Sequence, residues 1–573
     1  MKNLRWIAGS AMALAAASVS AASMGGFSPY RLSQIDKTIS ADDFQGRGVN
    51  TPAETKTVNY IIDQFRSAGL QPGGDLAGGQ RKWTQDVPLL QSDWQSPPQL
   101  AIDIAGQRVA LTQGEEIAAR SPTNGATAVN LNGVPLVFVG YGVRAPERNW
   151  DDFKGTDLRG KIAVVLVNDP DFEGGEGDFG GKAMTYYGRW TYKYEEGARQ
   201  GAAGVLVIHE TGPASYGWNT VKNSNTNTMF DIVRQNPAAE HPLLEAWIQR
   251  DLAQRLFAAS GLDFEAMKAA ARRRDFRPVP LKANLIAQGT ARTEVITSHN
   301  VVGLLPGKKY PDETVIYSAH WDHLGIGKPD ANGDNIYNGA VDNATGIAHL
   351  IEQARRFSLG PRPDRSVVFL AVTAEEKGLL GSEYYAAHPL YPLAKTAGVL
   401  NTDSMGVWGP QKNFTISGTA KLGLLDLLVA AGKDEGRYFT PDPHPETGGF
   451  YRSDHFSFAK QGVPAISFKP GIDLVQGGTA RGEALDAEYT AKRYHQPDDE
   501  FNPQWDFRGI AQDANLLHIV GKRLANSRDW PNWSDDSEFR AKRDESASER
   551  GAAAPAPVPA TEPAKPPKKG ERG

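Results

Sequence analysis

Five residues able to bind a metal, and one further carboxylate beside them, stand at strand or helix ends or in a loop of this chain. His320-Trp321-Asp322-His323 follows Tyr317-Ser318, Glu375-Glu376 follows Ala371-Val372, and Asp403 follows Leu400-Asn401. Asp342 stands just ahead of a helical pattern, and His495 lies in the loop Arg493-Tyr494-His495-Gln-Pro-Asp498. Each has an ordinary reading alone: Asp342 as a helix N-cap, the glutamate pair as a solvated face, the histidines as surface residues. Their shared position changes the reading, because ligand sites in open α/β sheets lie beyond the carboxyl ends of the strands. Carboxylates converging there repel unless a cation holds them, and imidazole with carboxylate suits a hard or borderline divalent metal. His320, Asp342, Glu376, Asp403 and His495 make five candidate ligands. One metal needs only about three, whereas two metals sharing a bridging carboxylate need about five.

The elements that must position these residues are legible as periodic patterns. From Asn300 onward, strands at 314–318, 366–372, 398–401 and 463–468 alternate with helices at 344–357, 381–388 and 420–431. Strict alternation implies an α/β domain, its mainly parallel sheet covered on both faces. Earlier, Val58, Ile61, Ile62, Phe65 and Leu70 recur at helical spacing and end at glycines. Residues 134–139, 161–167 and 204–208 read as buried strands, with a helix near 193–200 before the third.

The segments Ser318-Ala-His320-Trp-Asp322, Gly339-Ala-Val-Asp342-Asn343-Ala-Thr-Gly346, Ala374-Glu375-Glu376-Lys-Gly378 and Asn401-Thr-Asp403 resemble the M28 zinc peptidases in order and character. Arg452-Ser-Asp454-His455 and Tyr494-His495 do too. The resemblance covers about Ser28 to Asn130 and Thr290 to Asp529, and the segment between is similar to a protease-associated domain. It implies a mixed, mainly parallel sheet flanked by helices, of the phosphorylase/hydrolase-like zinc exopeptidase kind, with a β-rich insert. It implies two zinc ions: one on His320 and Asp403, one on Glu376 and His495, with Asp342 bridging. Asp322 is then expected to accept from the far nitrogen of His320, and Glu375 to act as general base. Tyr494 is expected to donate to the developing oxyanion, with Arg452 nearby to bind substrate or orient it. A cis peptide is expected at Asp342-Asn343. His323 and His455 match no ligand position. The activity implied is removal of single residues from the free amino end of peptides or small proteins. Alternatives are a glutamate-carboxypeptidase-like exopeptidase, a one-zinc glutaminyl cyclase-like enzyme, and a non-catalytic peptide-binding protein.

Bulk composition narrows the setting. Lys+Arg 62 against Asp+Glu 67 gives a net charge of -5, without the basic field a nucleic-acid binder needs. With no cysteine there is no lipoprotein anchor, thiolate site or disulfide framework. Lys2 and Arg5, a small apolar run to Val19, and Val19-Ser20-Ala21 read as a signal peptide over 1–21, pointing to an exported, periplasmic or secreted protein without a stable membrane anchor. The expected order is then a first peptidase segment at 22–130, the insert at 131–289, the catalytic segment at 290–530, and a disordered Ala/Pro-rich tail at 540–573. The acidic stretch Asp169 to Gly181 lacks the ligand spacing of an EF-hand loop and reads as a flexible loop near the cleft.

Overall fold

Strand Tyr310–His320 lies in the middle of the main sheet, parallel to Arg365–Val372 on one side and Thr396–Thr402 on the other. The structure, a computed structural model, describes residues 26–174 and 177–550. Ala465–Pro470 continues the parallel order, Asn413–Ile416 follows it antiparallel with Tyr438–Phe439 beyond, and Val301–Leu305 runs antiparallel to Arg365–Val372. These strands are apolar on both faces, as a doubly covered sheet requires. Val315, Tyr317 and Ala319 pack with helices Pro29–Ile39, Thr345–Ser358 and Arg508–Asn526. Ile316, Val368 and Leu370 point the other way, onto Tyr385 and Phe458 of helices Leu380–Ala387 and His455–Lys460. The register pairs His320 with Val372 and Ser318 with Asn401, so the chain leaves all three central strands at one edge.

The chain departs from this sheet after Trp94 and returns along the 27-residue strand Val279–Leu305. The first part of that strand pairs with Gln99–Ile104 and Ala128–Phe138 in a second sheet; the later part pairs with Thr84–Trp94 in the first. The second sheet carries a parallel ladder of Ala128–Phe138, Ile162–Leu166, Gly204–His209 and Leu244–Gln249, with a buried cluster on each face.

Two expected boundaries are corrected. The division at 130/131 falls inside strand Ala128–Phe138, and the inserted unit begins near residue 95, because Leu100, Ile102, Leu111 and Ile117 are buried in the second core. The expected tail from 540 begins instead as helix Arg540–Glu545. Its Arg543 is buried and donates to the Thr396 carbonyl at 3.0 Å, which fixes these residues on the peptidase sheet. Residues 1–21 and 551–573, expected as leader and tail, lie outside the described residues. Among the described residues no helix is long and apolar enough to cross a membrane. In the acidic stretch, Asp169 accepts from the Thr185 N–H and hydroxyl, both at 2.8 Å. Asp171 accepts from Phe179 and Gly181, at 2.8 and 3.1 Å, so these oxygens serve the loop's own backbone.

Candidate metal centre

The shared strand edge brings together all five residues expected as ligands. His320 Nε2 lies 3.2 Å from Asp342 Oδ1 and 3.4 Å from Asp403 Oδ1. His495 Nε2 lies 3.0 Å from Glu376 Oε2 and 3.4 Å from Asp342 Oδ2. The two oxygens of Asp342 therefore face two different histidine–carboxylate pairs. Glu375 Oε2 stands 3.9 Å from His320 Nε2, on the first pair's side. The Asp342-Asn343 peptide is cis, as expected. Asn343 ties this turn to its neighbour: its Nδ2 donates to the Thr402 carbonyl at 3.2 Å and its Oδ1 accepts from Ser404 N at 3.2 Å.

The cluster is buried, and its protonation shows what that costs. Burial works to raise the Asp342 carboxyl, but His320 and His495 pull it well below the usual carboxylate range. Burial disfavours a charged His320, but Glu375, Asp342 and Asp403 outweigh it and hold the ring well above the usual imidazole range. His495 behaves alike: against burial, Glu376 and Asp342 push it up to about 9. Burial pushes Glu375 well above the usual range, His320 opposing it and Asp403, Glu376 and Asp454 adding to it. Without a cation, the carboxylates thus demand protons on rings that would otherwise be neutral. Metal binding displaces such protons, and neutral imidazole with carboxylate is the donor set a divalent ion takes. Asp342 Oδ1 and Glu376 Oε1 are also buried, with histidine ring nitrogens as their near neighbours. The residues present fit divalent metal: the donor atoms of His320, Asp342 and Asp403 lie within 4.8 Å of one another.

Asp322 does not sit as expected. His320 Nδ1 meets the Asp322 main-chain carbonyl at 3.1 Å, while the nearer carboxylate oxygen is 3.8 Å away. That carboxylate is engaged elsewhere, accepting from the N–H groups of Glu375 at 3.0 Å and Glu376 at 3.4 Å. One residue thus supports His320 through its backbone and the glutamate turn through its side chain. His323, which matches no expected ligand position, lies 2.5 Å from Glu376 Oε1. With Asp342 and Glu376 it forms a group whose donor atoms lie within 4.8 Å of one another. His455 is buried against Phe450, and burial lowers its pKa to about 3. Tyr494 stacks on His495 with ring centroids 4.0 Å apart, and its hydroxyl accepts from Arg452 at 3.2 Å. Glu375, Asp403, Tyr494 and Arg452 line a cavity of about 750 Å³ whose far wall includes Ser215 and Tyr216 of the inserted unit.

Two further residues hold the site without touching it through side-chain oxygens of the cluster. Arg47 is buried and donates to the carbonyls of Ile39, Trp321, Asn338, Gly339 and Asp342, at 2.6 to 3.4 Å. It clamps the turn after His320 to the turn carrying Asp342. Asp499 accepts from Val341 N and Asp342 N, both at 3.0 Å. Asp499 had a faint signal, an acid a few residues past His495; Arg47 had none, being 274 positions before its partner Trp321.

Comparison with known proteins agrees with this geometry. Residues 300–517 match the model of Peptidase family M28, so the chain carries an M28 peptidase domain. A probable zinc metalloprotease of Pyricularia oryzae is 30% identical over 231 residues, 38% of this chain and 44% of that protein. Leupeptin-inactivating enzyme 1 of Streptomyces exfoliatus is 30% identical over 208 residues, 34% of this chain and 42% of that protein. The chain thus spans less than half the length of these curated relatives. The aminopeptidase from Aneurinibacillus sp. strain AM-1 superposes with a TM-score of 0.52 at 20% identity, covering 88% of this chain and 95% of that one. At that identity the likeness is one of fold.

Proposed function

We propose that the protein is a two-zinc exopeptidase that removes single residues from the free amino end of peptides. The observation that carries this reading is Asp342, whose two oxygens face two histidine–carboxylate pairs while Glu375 stands beside one of them. When bound there, divalent metal makes water a nucleophile near neutral pH and polarises the scissile carbonyl. Glu375 takes the proton from the attacking water and returns it to the leaving amine; its buried setting favours the protonated form it needs for the second transfer. The Tyr494 hydroxyl donates to the oxygen of the tetrahedral species, with Arg452 fixing its direction. The cavity, lined in part by Ser215 and Tyr216 of the inserted unit, holds the first residues of the peptide. The basic, then apolar, then small-residue order of residues 2–21 supports export to the periplasm or the medium.

Arg189 and Arg452 favour a second reading. Arg189 is buried and Arg452 half-buried, and neither has a carboxylate hydrogen-bond partner among the described residues. A C-terminal carboxylate would suit them, as a glutamate-carboxypeptidase-like enzyme requires. A panel of free, N-acetylated and C-amidated peptides, read by mass, separates the two. Aminopeptidase action predicts loss of N-terminal residues, abolished by acetylation and indifferent to amidation. Cleavage of acetylated peptides from the C-terminus would overturn it.

A further inference from the structure

The two histidines of the site are held from different parts of the molecule. His320 is supported within the peptidase domain, its Nδ1 meeting the Asp322 carbonyl at 3.1 Å. His495 is supported by the inserted unit. Ser224, on helix Trp218–Asn225 of that unit, places its hydroxyl 2.8 Å from His495 Nδ1. Asn223 Nδ2 donates to the His495 main-chain carbonyl at 3.0 Å. His495 needs such support, because its φ of 57° is in the left-handed region, where residues with side chains cost on the order of 1–3 kcal/mol unless surroundings hold them. The helix is in turn fastened to the peptidase domain nearby: Lys377 Nζ donates to Asn227 Oδ1 at 2.8 Å, and Arg234 pairs with Glu383 at 3.2 Å.

An imidazole offers one nitrogen to a ligand only when the other carries its proton, and the partner of that second nitrogen selects the tautomer. A serine hydroxyl accepting from Nδ1–H leaves Nε2 as the nitrogen that would bind metal, beside Glu376 Oε2 and Asp342 Oδ2 at 3.0 and 3.4 Å. We propose that Ser224 and Asn223 are positioning residues for His495, so that the metal position of His495, Glu376 and Asp342 is complete only with the inserted unit docked. The His320–Asp403 position is independent of it. The insert is then part of the metal centre as well as a wall of the cavity. This inference rests on the two-metal reading above.

The test is a cobalt(II) titration of the metal-free full-length chain, followed by visible absorption and equilibrium dialysis, for wild type, Ser224→Ala, Ser224→Thr and Asn223→Ala. Wild type should take up two ions. Ser224→Ala should weaken one of the two by about 10–100-fold, the usual effect of losing such an outer partner, and leave the other unchanged. Asn223→Ala should weaken the same position. Ser224→Thr, which keeps the hydroxyl, should restore wild-type affinity, and the melting temperature of the metal-free protein should not change across the set. Equal affinities in Ser224→Ala and wild type, or equal weakening of both positions, would overturn the inference while leaving the two-metal reading intact. Uptake of fewer than two ions by wild type would overturn that reading instead, and the inference with it.

Discussion

Replacing Glu375 with glutamine separates catalysis from metal binding. The amide keeps the side chain's shape, and the main-chain N–H still bonds Asp322 at 3.0 Å, so the turn should not move. What disappears is the proton acceptor. A positioned acid–base group is worth roughly 10²–10⁴ in rate, so turnover should fall by that factor, about 3–5.5 kcal/mol of barrier. Metal content should stay at the wild-type value, because the carboxylate facing His495 belongs to Glu376. A second consequence appears in the metal-free protein. Burial raises the Glu375 pKa well above its ordinary value near 4.5, so the folded state holds a proton that the unfolded state releases. The contribution from this group is fully present below the unfolded pKa and is lost as pH rises through the folded one. The glutamine variant has no proton to lose there. The stability of chelated Glu375→Gln should therefore fall less between pH 5 and neutrality than that of chelated wild type, read by thermal melts across that range. Retention of more than a tenth of wild-type turnover, or loss of metal from the variant, would refute the assignment of Glu375 as the base.

The other variants probe the remaining parts of the site. Glu376→Gln should lose metal at one position and regain part of its activity in excess metal, measured by elemental analysis beside turnover. Arg47→Met strips a buried cation from five main-chain carbonyls and should destabilise the fold by about 3–5 kcal/mol, the usual scale for breaking a buried charged network, seen in denaturant melts. Tyr494→Phe should lower kcat by up to about 10²–10³ with little change in KM if its hydroxyl stabilises the oxyanion. An unchanged kcat would reduce Tyr494 to its stacking contact with His495.

The candidate ligands His320, Glu376 and Asp403 were legible in the sequence because each sits where a buried apolar run stops and a polar cluster begins. His320, Glu375-Glu376 and Asp403 follow three central strands whose register brings their ends level. The residues that aim them were not legible. Arg47, Asp499 and Ser224 act mostly through main-chain groups or through contacts hundreds of positions away, and such contacts leave no periodicity. Asp322 shows the same limit at short range: the right residue was visible, but which of its oxygens meets His320 depends on the glutamate turn folding over its carboxylate. The expected boundary at 289/290 falls inside Val279–Leu305, one unbroken strand shared by two sheets, so no turn marks the return passage between them. The helix at Arg540–Glu545 has the composition of a solvated segment, and contacts such as that of buried Arg543 with the Thr396 carbonyl give it a place.

The most direct test of the account is the metal content of active, full-length protein by elemental analysis, set against its activity on a free-amino peptide during chelation and re-addition of zinc. The account predicts close to two zinc ions per chain, loss of activity as they are removed, and recovery as they return. One ion or none in fully active protein, or activity indifferent to chelation, would contradict it.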